Sequence, residues 1–133
     1  MNTATKRRRT RAVGIASMLA GAGAAAVVMA APASAAVGSV TATPGPTGQF
    51  GTSCSYDLVA TAPTGKEVVF GDNGVIIGTS VADNGTATLK WTPTTPGFHK
   101  IQARQINPVV GGAKEFQTTV RPGVNLGSLC LAF

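Results

Sequence analysis

From residue 36 onward, short runs of alternating apolar and polar residues are separated by segments rich in glycine, proline and asparagine. In residues 54–61, for example, Cys54, Tyr56, Leu58 and Ala60 occupy alternate positions. A period of two is typical of a strand with one buried face, whereas a helix would repeat every three to four residues. The predicted strands are residues 38–43, 54–61, 66–70, 75–81, 86–91, 98–106 and 113–120.

Turn chemistry separates these runs. Two Asp-Asn-Gly segments, 72–74 and 83–85, predict tight turns because Asn and Gly tolerate positive φ. Residues 44–51 contain two prolines and three glycines and are predicted to interrupt strand pairing. Seven short strands with a turn at each junction predict an all-β protein, an immunoglobulin-like antiparallel β-sandwich of about seven strands.

The N-terminal region has a different pattern. Basic residues cluster at 6–11, an apolar stretch rich in Ala and Gly covers 12–30, and Ala33-Ser34-Ala35 forms a small-residue cleavage site. This order predicts a secretory signal peptide over residues 1–35, bacterial in character, and no membrane span. The expected product is a 98-residue secreted domain, 36–133, with a C-terminal tail at 121–133. Association with the cell wall is the alternative to free secretion.

The predicted signal peptide also explains the positive net charge of the chain. The chain has 11 Lys and Arg against five Asp and Glu, a formal net charge of +6. Five of the basic residues lie at 6–11, which leaves a net charge of +1 spread over residues 36–133. Because no basic cluster remains after cleavage, a nucleic-acid partner is not expected.

Two cysteines, Cys54 and Cys130, remain after cleavage. In an oxidising compartment they predict one intramolecular disulfide, since their spacing resembles neither a zinc site nor a redox motif. In seven alternating strands the second begins at the end of the sandwich where the seventh finishes. The bridge is therefore expected to hold the tail residues Leu126, Leu129 and Leu131 over the open end of the core.

The residues offer no catalytic set. His99 is the only histidine, and its alternating position predicts a buried structural residue bonded near Pro96-Gly97. Trp91 is likewise predicted to lie in the core. No nucleophile motif or closely spaced carboxylate pair accompanies His99. Each Asp-Asn-Gly segment supplies one carboxylate, too few for calcium. The sequence thus predicts a non-enzymatic protein with no metal and no cofactor.

One loop has an unusual composition. Residues 106–112 place Val109 and Val110 together in a predicted hairpin connection. In a sandwich, alternate connections lie at the same end, which groups this loop with residues 62–66 and 82–85. The alternative is that the two valines fold back over the edge of the core. The candidate binding-loop residues are Lys66, Asp83, Asn84, Asn107, Val109 and Val110.

The run VVFGDNGVIIGTSVADNGTATLKWTPTTPGFHKIQARQ, from Val68 to Gln105, resembles the bacterial Ig-like domains that occur as repeats in secreted and surface proteins. Such domains usually occur in tandem, whereas this chain has one copy and a cysteine-bearing tail. The resemblance implies adhesion, spacing or protein–protein contact. We therefore expect a secreted interaction module that contacts a protein or cell-envelope component. A carrier of a small apolar ligand and an enzyme-inhibitor domain are the alternatives.

The leader assignment makes a direct prediction. The exported protein should begin at Ala36, one residue after the small-residue site. N-terminal sequencing of the protein in the culture medium measures this start. A product that stays in the membrane with residues 1–35 attached would contradict it.

Overall fold

The computed structural model describes residues 36–133, and every regular element among them is a β-strand. The predicted signal peptide, residues 1–35, lies outside the described residues and stays a prediction. Within 36–133, no helix is long and apolar enough to cross a membrane. The strands are β1 (Ser39–Ala42), β2 (Phe50–Gly51), β3 (Tyr56–Thr61), β4 (Glu67–Asp72), β5 (Val75–Val81), β6 (Thr86–Trp91), β7 (Gly97–Ile106), β8 (Val110–Arg121), β9 (Gly123–Asn125) and β10 (Cys130–Ala132).

Two sheets pack face to face. The smaller sheet has the order β1-β3-β6, and the larger has the order β2-β8-β7-β4-β5. Strands β9 and β10 form a separate hairpin. All of these strand pairs are antiparallel except β2–β8. The predicted all-β immunoglobulin-like sandwich is confirmed.

The seven predicted strands are all present, but three short strands were not predicted. Strand β2 lies within residues 44–51, and Phe50 and Gly51 pair in parallel with Val120 and Arg121 of β8. The two prolines of this segment end at residue 46, so the last two residues are free to pair. Parallel pairing with a strand some 70 residues away leaves no local pattern in the sequence.

The alternating residues of β3, β4, β6 and β7 fill the space between the sheets, as their period predicts. Phe50 joins this core from β2. Its ring lies 4.8 Å from that of Tyr56, edge to face, and 5.7 Å from Trp91. Aromatic pairs at these distances add favourable edge-to-face contacts to the burial of apolar area. The short β2 strand thereby closes one side of the core.

Turns and loops lie at two opposite ends of the sandwich. The loop end is formed by residues 62–66, 82–85 and 107–109, which connect β3–β4, β5–β6 and β7–β8. The disulfide end is formed by the Asn73-Gly74 turn, the 92–96 loop and the β9–β10 hairpin. Because Val110 already begins β8, the predicted loop over 106–112 is shorter than expected.

The predicted disulfide is confirmed: Cys54 and Cys130 are bonded, with their Cα atoms 5.7 Å apart. Two further contacts hold the tail. Gly123 N donates to Thr52 Oγ1 at 3.0 Å, and Asn125 Nδ2 donates to the Ser53 carbonyl oxygen at 3.1 Å. The bridge thus fixes a hairpin against the start of β3.

The predicted position of the tail leucines is wrong in part. Leu126 is 62% exposed and Leu129 is 41% exposed, while Leu131 is half-buried. The reason is the β9–β10 hairpin, because residues 126–129 form its turn and face away from the sandwich. Of the three residues of β10, only Ala132 is buried, close to Gly51.

The bridge should contribute strongly to stability. Replacing Cys130 with Ser should lower the free energy of unfolding by roughly 4–5 kcal/mol, because it releases a constraint across 76 positions in the unfolded chain. Denaturant unfolding with and without reductant measures the effect. Cys54→Ser breaks the same bond and should give a similar loss. Two alkylatable thiols in the native protein would contradict the intramolecular bridge.

Candidate functional site

The main polar cluster of the interior forms around Asp72, the last residue of β4. Asp72 follows Val68 and Phe70 at alternate positions, so its side chain turns toward the space between the sheets. Trp91 Nε1 donates to its Oδ2 at 3.0 Å. His99 Nδ1 donates to both carboxylate oxygens, at 2.7 and 2.9 Å. The cluster therefore joins β4 and β7 of the larger sheet to β6 of the smaller one.

His99 has no free ring nitrogen. Its Nε2 lies 2.8 Å from the Thr95 carbonyl oxygen, one residue before the predicted Pro96-Gly97 partner. Each ring nitrogen thus lies within hydrogen-bond distance of an oxygen of the protein. The side chain is only 6% exposed. A general base needs an unpaired nitrogen within reach of a substrate proton, and this arrangement instead uses His99 to fasten the 92–96 loop.

Above this cluster lies a surface cleft of about 450 Å³, the Thr92–Thr95 cleft. The β4–β5 hairpin forms one wall through Val75 and Ile77, and the 92–95 segment forms the other. The polar groups of the floor are already paired with one another, and Thr92 Oγ1 shares a hydrogen bond with Ser55 Oγ at 2.7 Å. The cleft therefore accepts an apolar group without leaving those polar atoms unpaired.

The hairpin beside the cleft is held rigidly. Asn73 and Gly74 both have positive φ, 48° and 83°, as the Asn-Gly pair predicts. The Asn73 side chain then spans to β7: its Nδ2 donates to the Phe98 carbonyl oxygen, and its Oδ1 accepts from Lys100 N. These contacts fix the residues that follow the turn.

The predicted binding loops do lie together at the loop end. Ala62 N donates to Gly85 O at 3.0 Å, and Ala82 N donates to Lys66 O at 2.8 Å. Asn107 Nδ2 donates to Glu67 Oε2 at 2.8 Å. Among the candidate residues, Val110 is half-buried, and the following are exposed: Lys66, Asp83, Asn84, Asn107 and Val109.

The buried side chain of Gln105 contacts the 107–109 turn at this end. It is 1% exposed on the inward face of β7, and its Nε2 donates to the Pro108 carbonyl oxygen at 3.3 Å. Its Oε1 has no partner among the described residues. A buried amide that bonds to a loop carbonyl restricts the loop, so the 107–109 turn is a supported connection.

Exposed apolar residues are concentrated at the opposite end. Of the ten large hydrophobic residues exposed in 36–133, only Val81 and Val109 lie at or near the loop end. The other eight lie at the disulfide end, where Val75 and Ile76 are 67% and 72% exposed. The eight residues are Val75, Ile76, Ile77, Phe98, Val124, Leu126, Leu129 and Phe133. Residues 75–77 form a continuous apolar projection, which we name the Val75–Ile77 ridge.

The sequence analysis predicted neither the Val75–Ile77 ridge nor the role of Asp72, although the sequence contains a pattern for each. Three consecutive apolar residues at 75–77 cannot all face the core of an alternating strand. Phe70 pairs with Gly78 but Gly71 pairs with Ile76, which leaves Ile77 as an extra residue of β5, so the ridge itself contains the bulge. Asp72 shares the inward alternation of Val68 and Phe70, and the nearby Trp and His side chains both need an acceptor. Together these features indicate a buried carboxylate.

No protein-family model matches the chain, and no curated protein matches it. Among solved structures, the fibronectin(III)-like modules of Clostridium thermocellum CbhA are 17% identical, with a TM-score of 0.47, covering 56% of this chain and 85% of the module. A CARDB domain from Pyrococcus furiosus, solved in complex with di-metal ions, is 19% identical, with a TM-score of 0.46, covering 65% and 90%. Within residues 36–133 of the present chain, no group of three or more His, Cys, Asp or Glu residues could hold a metal ion.

The Asp72 cluster makes a stability prediction. Asp72→Asn keeps the shape but removes the charge and one acceptor, so the free energy of unfolding should fall by roughly 2–3 kcal/mol. Asp57→Asn is the matched control, because the Asp57–Lys90 ion pair is exposed and should contribute no more than about 1 kcal/mol. Urea unfolding of both variants measures the difference. Equal losses would mean that the cluster does not join the sheets.

Proposed function

We propose that this chain is an exported, non-enzymatic protein-interaction module of the bacterial Ig-like type, and that it binds its partner through the disulfide end. The supporting observation is the position of the exposed apolar residues, eight of ten at that end. Soluble monomers rarely expose large apolar patches, and those that they expose tend to mark interaction sites.

The surroundings of the ridge fit a protein contact surface. Interfaces combine an apolar centre with a polar rim. On one side of the ridge lies the Thr92–Thr95 cleft, and on the other lies a groove of about 270 Å³ that includes Ile76, Val69 and Arg104. Apolar residues therefore lie at the centre, with hydroxyl, amide and guanidinium groups around them.

A protein partner is favoured over a membrane surface because the disulfide end lacks a basic cluster. Binding to an anionic lipid surface relies on several neighbouring Lys or Arg residues. Here Lys90 lies 2.8 Å from Asp57, Lys100 lies 3.7 Å from Glu115, and Arg121 is exposed. Apolar contacts with another protein thus suit this end better than electrostatic contacts with lipid.

The predicted binding loops at the loop end define the competing surface. They are neutral to mixed in charge, and Val109 is the one large apolar side chain exposed in the three connections. A comparison of the two ends by substitution decides between them. Ile76 and Val109 are suitable positions, because both are apolar and more than 60% exposed.

Ile76→Asp should weaken binding to the protein fraction of the producing culture and its envelope by at least tenfold, since it places a charge in the apolar centre. Val109→Asp, the matched control, should leave binding unchanged. Biolayer interferometry with the purified chain immobilised measures both, before and after protease treatment of the fraction. Loss with Val109→Asp alone would move the contact to the loop end, and protease-resistant binding would exclude a protein partner.

A further inference from the structure

We propose that the free edge of β5 binds an extended segment of a partner protein, which adds to the five-stranded sheet as a further strand. β5 lies at the end of the strand order and pairs only with β4 among the described residues. The contact consists of main-chain hydrogen bonds along the side of the sandwich. It therefore goes beyond the apolar contacts proposed for the disulfide end.

The main chain of β5 directs hydrogen-bonding groups away from the sheet. Ala82 N, one residue beyond β5, donates to the Lys66 carbonyl oxygen at 2.8 Å. Bonded and non-bonded pairs alternate along an antiparallel ladder, so Ser80 bonds to β4, whereas Thr79 and Val81 point their N–H and C=O groups outward. Among residues 36–133, no backbone hydrogen bond outside the strand ladders involves Thr79 or Val81.

The spacing of these groups determines what can bind them. The two outward residues each offer one N–H donor and one C=O acceptor, repeated at about 6.6 Å along the strand. Another extended main chain presents the complementary groups at the same spacing, which is how peptides add to the edge of a sheet. Saccharides and lipid chains do not carry this alternation. The chemistry of the edge therefore specifies an extended peptide segment.

The edge of β5 also lacks the features that usually protect a free edge. Protected edges are short or carry charged residues or proline. The seven residues of β5, VIIGTSV, include no charge and no proline, and five of them are exposed. The other edge strands are short or charged: β1 has four residues, β2 has two, and β6 carries Lys90.

The bulge in β5 defines where the added strand lies. Because Ile77 is the extra residue, the regular stretch open to pairing begins at Gly78. Gly78 lies against Leu89 of β6, so the alternating side chains of Thr79 and Val81 lie on the outer face of the sheet, where both are exposed. β-Branched residues pair well across strands, and we expect the bound segment to be uncharged and rich in them.

A displayed library of twelve-residue peptides, selected on the immobilised purified chain, tests the proposal. The selected peptides should lose affinity at least tenfold for Thr79→Pro, which removes one outward N–H at a position where an edge strand tolerates proline. Thr79→Ala, the matched control, keeps this N–H and should bind the same peptides as tightly as the wild type. Biolayer interferometry with synthetic copies of the peptides measures both variants.

Amide hydrogen exchange followed by NMR gives a second readout. In the free chain the Thr79 and Val81 amides should exchange faster than that of Ser80, and a bound peptide should slow both. This measurement uses the wild type alone, so it decides the question if Thr79→Pro fails to fold by circular dichroism.

The proposal would be overturned by a library that yields no binders, or by peptides that bind folded Thr79→Pro as well as the wild type. Peptides that leave the two amides unprotected would also overturn it. A dimer of the free chain that Thr79→Pro abolishes would assign the edge to a second copy instead of a partner segment. None of these results bears on the proposed function, which is tested at Ile76 with the proteins of the culture.

Discussion

The carboxylate of Asp72 is the contact on which the arrangement of the two sheets depends. A charge removed from water is costly unless donors surround it. Trp91 from the smaller sheet and His99 from the larger one supply those donors. Because Trp91 ends β6 and His99 is the third residue of β7, the pairing fixes how the ends of β4, β6 and β7 meet. The 92–96 loop follows, since the remaining nitrogen of His99 holds Thr95.

The second constraint is covalent and acts at the same end. Cys130 bonds the β9–β10 hairpin to Cys54, just before β3. Hydrogen bonds from Gly123 and Asn125 to residues 52–53 add to the bridge. A small domain with a limited core gains much from such a link. Its geometric effect is equally important, because the hairpin turn is held away from the core with its leucines in solvent. The disulfide stabilises the fold and also displays an apolar surface.

These two constraints have a shared consequence for function. The cluster around Asp72 makes the floor of the Thr92–Thr95 cleft rigid and internally paired, while Asn73 fixes the adjacent ridge. A rigid surface loses little conformational freedom on binding, which favours association. Both ring nitrogens of His99 take part in this support.

The sequence alone determined the local features of this protein. Alternation placed the seven main strands and the inward face of β7, the Asn-Gly pairs placed two turns, and two cysteines after a predicted signal peptide indicated their bond. These features depend on neighbouring residues or on the only pairing available. The tertiary structure decided the rest: the parallel contact of Phe50 with Val120, the partners of Asp72, and the end at which apolar side chains remain exposed. Each of these joins residues far apart in the chain, and alternation specifies which face a side chain occupies but not which distant strand it meets.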